Sequence, residues 1–156
     1  MLTAKEQKQL TSLLKKIDKP HDGLPQPVFD ALCGVVPFVA CELVLVDKKK
    51  GVLLIWRDEK WFKGWHFPGG LLRWRENFEE RIQAVAWKEF GVNISKIKFL
   101  FPKDYSQSKR GHIVSLVFQC ETVMTPKQGK FFKTMPKNII NAHKEFWGNI
   151  DGLELV

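Results

Sequence analysis

Apolar positions follow two different periods along the chain. Leu10, Leu13, Leu14 and Ile17 recur at three- and four-residue spacing among lysines and glutamines, and Thr3-Ala4-Lys5-Glu6 has the spacing of a capping box. An amphipathic helix from Thr3 to Ile17 is therefore predicted, with its leucines packed on the core. Pro20 through Pro27 reads as a linker, followed by a short apolar helix from Val28 to Leu32. Phe38 to Val46 and Val52 to Trp56 are continuous apolar runs on either side of Asp47-Lys48-Lys49-Lys50-Gly51, the pattern of a hairpin of buried strands. Ile97 to Phe101 and Ile113 to Glu121 add strands, and Glu145 to Trp147 a short one. Lys103 to Gly111 and Met124 to Asn141 read as long loops that carry substrate contacts.

The stretch from His66 to Val92 holds the candidate chemistry. Glycines 69 and 70 let a backbone carbonyl or amide face a ligand at a distance that a side chain would block, and Pro68 fixes the entry to the turn. Asn77-Phe78-Glu79-Glu80 is a second capping box, so a helix starts there. At about 100° per residue, Phe78, Ile82, Val85 and Glu89 share one face. A carboxylate in an apolar stripe is costly without a cation or hydrogen-bond donors, which makes a metal ion facing the glycines a reasonable partner. The alternative is that Glu89, in the last turn, lies where the stripe emerges into solvent.

These residues resemble the Nudix hydrolase signature, G-x5-E-x7-R-E-U-x-E-E-x-G-U with U a bulky aliphatic residue. Gly70, Glu76, Glu89, Gly91 and Val92 match it in register, and Trp65-His66-Phe67-Pro68-Gly69-Gly70 with the preceding hairpin is similar to the family's common core. Ala84 stands where the family has Arg, and Val85 and Lys88 where it has Glu. The resemblance implies a Nudix-type α/β/α sandwich around a mixed β-sheet. It also implies a Mg²⁺ ion, with Mn²⁺ as an alternative, held by Glu89 and a carbonyl of Gly69 or Gly70. Glu76 would orient the loop rather than bind the metal. With two of three usual carboxylates replaced, the substrate's diphosphate would supply much of the ligand charge.

The same departures resemble the GDP-mannose mannosyl hydrolase branch, which keeps the last Glu and cleaves a glycosidic C–O bond. In that comparison His143, a loop histidine before an aromatic residue, is the general base, and His112 at the start of a strand is a substrate contact. Arg57 matches a family arginine. Arg73 and Arg75 could replace diphosphate-binding arginines that are absent at Leu71 and Ala84. Two other readings stay open. One is pyrophosphate cleavage with ligands from Glu79, Glu80 or Glu145; the other is a non-catalytic domain that binds nucleotide or RNA.

Composition limits the remaining options. The 156 residues suit one domain, 1–156, with 1–34 as a helical extension and 35–156 as the core; 44% hydrophobic and 27% charged residues are ordinary for a globular protein. No apolar run approaches the roughly 18 residues of a membrane span, and no signal-peptide core is seen, so a cytoplasmic location is expected. Cys33, Cys41 and Cys120 lack metal or disulfide spacing. The net charge of +8 favours anionic ligands, but the lysines are dispersed and indicate no specific nucleic acid. Trp61 and Trp74, in polar loop contexts, are candidates for stacking on a base or sugar. A nucleotide or nucleotide sugar is the expected partner, and the helix over residues 3–17 could also form a homodimer contact.

Overall fold

The computed structural model of the protein describes residues 1–59, 62–108 and 110–150. The strands are β1 (Phe38–Asp47), β2 (Gly51–Asp58), β3 (Lys63–His66), β4 (Gly69–Leu71), β5 (Lys96–Tyr105), β6 (Ile113–Glu121) and β7 (Lys130–Phe132). The helices are α1 (Ala4–Leu14), α2 (Gln26–Cys33), α3 (Phe78–Phe90) and α4 (Asn141–Ile150). The sheet runs β3-β2-β1-β6-β5, with β4 paired to β1 and β7 to β2. It is mixed, because β1 and β6 are parallel from Phe38↔Ile113 to Leu45↔Cys120 while the other pairs are antiparallel.

Alternation along β1 sends Cys41, Leu43 and Leu45 to one face, where Ile82, Val85, Ala86 and Phe90 of α3 cover them. Val44 points the other way, with Val52 and Leu54 of β2, into a second core closed by Phe146, Trp147 and Ile150 of α4. One helix on each face makes the expected α/β/α sandwich. The capping box at Asn77 forms as expected, with reciprocal bonds of 2.9 Å between Asn77 and Glu80.

Several expectations need correction. The segment Glu145 to Trp147 is helical, not a strand, and a C-terminal helix is present. His143, Phe146, Trp147 and Ile150 follow the three- and four-residue spacing of one helix face, and burial of that stripe decides the outcome. His143 accordingly sits on a helix rather than in a loop. α1 forms with its capping box but buries no residue; Leu10, Leu13 and Leu14 are 47%, 60% and 41% exposed. Both sheet faces are already covered by α3 and α4, which leaves α1 no core to join. β5 continues to Tyr105, well past Phe101, through a bulge between Phe99 and Phe101. β7 interrupts the second predicted loop. Among the described residues no helix is long and apolar enough to cross a membrane.

These differences in burial predict unequal sensitivities. Phe146→Ala should cost about 3–5 kcal/mol in urea unfolding, as expected for an aromatic cavity in a closed core. Leu13→Ala on α1 should cost no more than about 0.5 kcal/mol. Comparable losses would mean that α1 packs on the core after all.

Candidate active site

A cleft of about 490 Å³ opens where β2 leaves β1 and β4 takes its place. Ala40 and Glu42 of β1 and Ser115 of β6 line it, with Gly69, Gly70 and Leu71 of β4. Arg57 of β2, Lys103 and Tyr105 of β5, Arg110 and the N-terminal turn of α4 complete its walls.

Glu42 is the central charge. Its register partner is Gly69, where a Cβ would overlap the carboxylate, so glycine is required for the two strands to approach. Ser115 Oγ donates to Glu42 Oε1 at 3.3 Å. Burial pushes the Glu42 carboxyl up to about 7, while Arg57 and the Ser115 hydroxyl pull in the opposite direction. A carboxyl that titrates near neutrality inside a cleft can hold or release a proton under working conditions.

Two histidines brace the strand that leads into the glycines. The Phe67 N–H donates to His143 Nδ1 at 2.9 Å, which leaves the proton of the neutral ring on Nε2. Burial, aided by His66 and Arg57, holds the His143 imidazole down to about 3. His66, 2% exposed, has Nδ1 at 2.5 Å from the Phe67 carbonyl. Burial and Arg57 lower it to about 4, against the pull of that bond. Both rings are therefore neutral at pH 7. His143 reaches the cleft as a fixed hydrogen-bonding group whose Nδ1 lone pair is already engaged.

The structure brings Gly69, Gly70, Arg57, His143 and Glu145 together, the last ion-paired with Lys103, and leaves the other predicted residues outside the cleft. The side-chain atoms nearest a Cβ placed on Gly70 belong to Val85 and Arg81, not to Glu89. Glu89, with 22% side-chain exposure, has Lys88 Nζ at 3.8 Å. Glu76 accepts from Arg81 Nε at 2.8 Å, Arg81 Nη2 at 2.5 Å and the Arg73 N–H at 3.0 Å. Its oxygens therefore tie the loop to α3.

Arg73 donates to the His21 carbonyl at 3.4 Å, and Arg75, at φ 60°, lies over the Trp74 ring. Trp74 and Arg75 border a separate, more open depression of about 670 Å³ with Ile17 and His21. His112 pairs with Asp104 at 2.9 Å beside the cleft rim. Trp61 lies outside the described residues.

These positions decide how well a divalent cation fits. Among the described residues no three His, Cys, Asp or Glu side chains converge as a metal site. Glu89 offers one carboxylate beside an ammonium, Glu76 is saturated by guanidinium and amide donors, and an apolar side chain with a cation faces Gly70. The protein's own groups therefore do not form the oxygen-rich cage that Mg²⁺ or Mn²⁺ favours.

Sequence reasoning missed Glu42, Ser115, Lys103, Tyr105, Arg110 and Arg81. For Glu42 a signal existed, since it is the only charged residue inside the apolar run from Phe38 to Val46. The others depend on contacts between distant segments.

A mixed sheet with a helix on each face carries this cleft, in which a glycine pair of β4 meets the Glu42 carboxylate. Residues 37–151 match the NUDIX domain family model, and the chain belongs to the Nudix hydrolase family. The MutT NUDIX hydrolase of Burkholderia pseudomallei superposes with a TM-score of 0.63 at 19% identity, covering 74% of this chain and 98% of that one. A bifunctional NMN adenylyltransferase/ADP ribose pyrophosphatase of Francisella tularensis, complexed with AMP and a manganese ion, gives 0.55 at 17% identity, covering 74% and 41%. At these identities the likeness is one of fold. The low-salt glycan biosynthesis protein Agl8 of Haloferax volcanii is 33% identical over 79 residues, 50% of each chain. The chain thus spans about half the length of the curated relative it matches.

Two outcomes follow from this geometry. The depressed histidines stay neutral in the fold but charge from 6.5 downward when unfolded, so their stabilisation is present above pH 6.5 and lost toward pH 3–4. Glu42 acts in the opposite sense, losing its contribution as pH rises from 4.5 to about 7. The thermal midpoint should therefore fall on acidification below 6.5, and more shallowly for His143→Gln, whose amide can still accept the Phe67 N–H. Equal slopes would show that His143 is not held neutral. In calorimetric titration without nucleotide, Mg²⁺ or Mn²⁺ should show no saturable binding below about 1 mM. Micromolar binding would reveal a preformed cage.

Proposed function

We propose that the protein hydrolyses a nucleoside diphosphate derivative, with a nucleotide sugar as substrate and the glycosidic C–O bond as the one cleaved. The observation that carries this reading is the meeting of Glu42, Arg57 and the Gly69–Gly70 backbone in a single cleft. The Agl8 match, to a glycan biosynthesis protein, supports the sugar.

In this mechanism the diphosphate lies against Arg57, whose planar donors suit phosphate oxygens. Gly69 places no Cβ beside Glu42 on this face, and Gly70 offers its backbone to the cleft. Glu42 removes a proton from water as its oxygen bonds to the anomeric carbon. The C–O electrons pass to the departing diphosphate, leaving free sugar and nucleoside diphosphate. The base is thus Glu42 rather than His143, since a proton acceptor needs an open lone pair and a pKa near the working pH. His143 holds Phe67, and through it the glycines, in place. No step is routed through a protein-bound metal.

The test is incubation with a panel of nucleotide sugars and nucleoside di- and triphosphates, with and without Mg²⁺, resolving every product. Free sugar and nucleoside diphosphate are expected, with kcat/KM falling on acidification below an apparent pKa near 7. Glu42→Gln should lower kcat by about 10²–10⁴. Nucleoside monophosphate as product would sink the C–O reading in favour of pyrophosphate cleavage. No turnover with binding retained would mean a non-catalytic nucleotide-binding domain.

A further inference from the structure

The N-terminal extension, which precedes the residues matched by the family, packs against Arg110, a residue that lines the cleft. Phe29 of α2 packs against Phe38 at the start of β1, with ring centroids 5.2 Å apart and planes tilted by 54°. On this aromatic base lies the Arg110 guanidinium, 5.0 Å from the Phe29 centroid. The Arg110 and Gly111 amides both turn back to Ser108, at 3.2 Å to its hydroxyl and 3.1 Å to its carbonyl. Gly111 then presses on the end of α2: at φ 130°, a Cβ there would overlap the Cys33 carbonyl. Phe29, Cys33 and Gly111 fix the height and direction of Arg110.

Arg110 also differs from the other cations of the cleft. Lys103 is ion-paired with Glu145, and Arg57 has Glu59 at 3.6 Å. Among the described residues Arg110 has no carboxylate within ion-pair distance; its guanidinium lies over the Phe29 ring. A guanidinium stacked on a ring keeps its in-plane N–H donors available for a carboxylate or phosphate. Its place is distant from the diphosphate end. Ile113 pairs with Phe38 and Val117 with Glu42, so the start of β6, which follows the Arg110 turn, lies four residues, about 13 Å along β1, from Glu42.

We propose that Arg110 is a specificity residue that receives a second anionic group of the substrate, remote from the diphosphate, and that α2 serves to hold it there. The inference rests on the nucleotide-sugar reading of the cleft. The shared chemistry is an oxyanion that accepts paired N–H donors. It arises from the carboxylate of an acidic sugar or from an additional phosphate on the nucleoside.

Calorimetric binding to matched pairs separates these sources: UDP-glucose against UDP-glucuronate and GDP-mannose against GDP-mannuronate for the carboxylate, ADP-ribose against its 2′-phosphate for the phosphate. The intact protein should bind at least one acidic member roughly 10-fold or more tighter than its neutral parent, the scale of charge-assisted hydrogen bonds. Arg110→Ala should abolish that preference while leaving affinity for the neutral parent within about 2-fold. Phe29→Leu, which preserves an apolar contact but removes the ring, should reduce the preference and raise KM for the acidic substrate without changing kcat. Binding of neutral and acidic members alike by the intact protein would overturn the role of Arg110 and leave the nucleotide-sugar reading standing. Equal weakening of both by Arg110→Ala would have the same effect. Failure to bind any member would overturn both.

Discussion

Glu42 is a carboxylate set into a sheet interior, and the arrangement around it follows from the cost of removing its charge from water. β2 pairs with β1 only at Leu45, Val46 and Asp47, and β4 takes over at Ala40, Cys41 and Glu42. The change of partner opens a space beside Glu42 that a continuous hairpin would have closed. Gly69 makes room for the carboxylate, Ser115 offers a hydroxyl and Arg57 a positive potential, yet desolvation still dominates. Such a group is a poor structural element and a suitable proton acceptor, because its preferred state changes near neutral pH.

The same electrostatic logic explains what α3 does. A helix carrying a carboxylate cluster toward the glycine loop would need a cation to relieve repulsion. Here Val85 fills the space beside Gly70, and Arg81 lies alongside and reaches Glu76. Arg81 is 8% exposed, so its charge must be matched, and the pair with Glu76 matches it. α3 therefore supports the loop by packing and an internal ion pair, while the cleft lined by Glu42, Arg57 and His143 lies on the opposite face of the sheet.

The histidines show how burial alters a role that a motif suggests. His143 is on the helix that closes the second core, with its ring between Phe67 and Phe146 at centroid distances of 5.8 and 5.0 Å. An imidazole in that company remains neutral, and its acceptor nitrogen is occupied by the Phe67 amide. Its effect on the site is positional. It links α4 to the turn that presents Gly69 and Gly70, so the fold's second face and the cleft are mechanically joined.

The hairpin and the capped helix at Asn77 were legible in the chain because each depends on nearby residues: apolar runs and a capping box. So was the Nudix family, carried by the spacing from Gly70 to Val92. The turn expected at Gly69 and Gly70 is instead the strand β4, because both residues pair with β1. α4 was misread although its stripe of His143, Phe146, Trp147 and Ile150 has helical spacing, because the stripe is short and matched a strand expected from resemblance. The partners of Glu42 could not be read at all. Gly69, Arg57 and Ser115 come from three other strands, and only the exchange of β2 for β4 beside β1 brings them to one carboxylate. Local spacing determined the elements; strand pairing decided which charges lost their water, and with that where the chemistry lies.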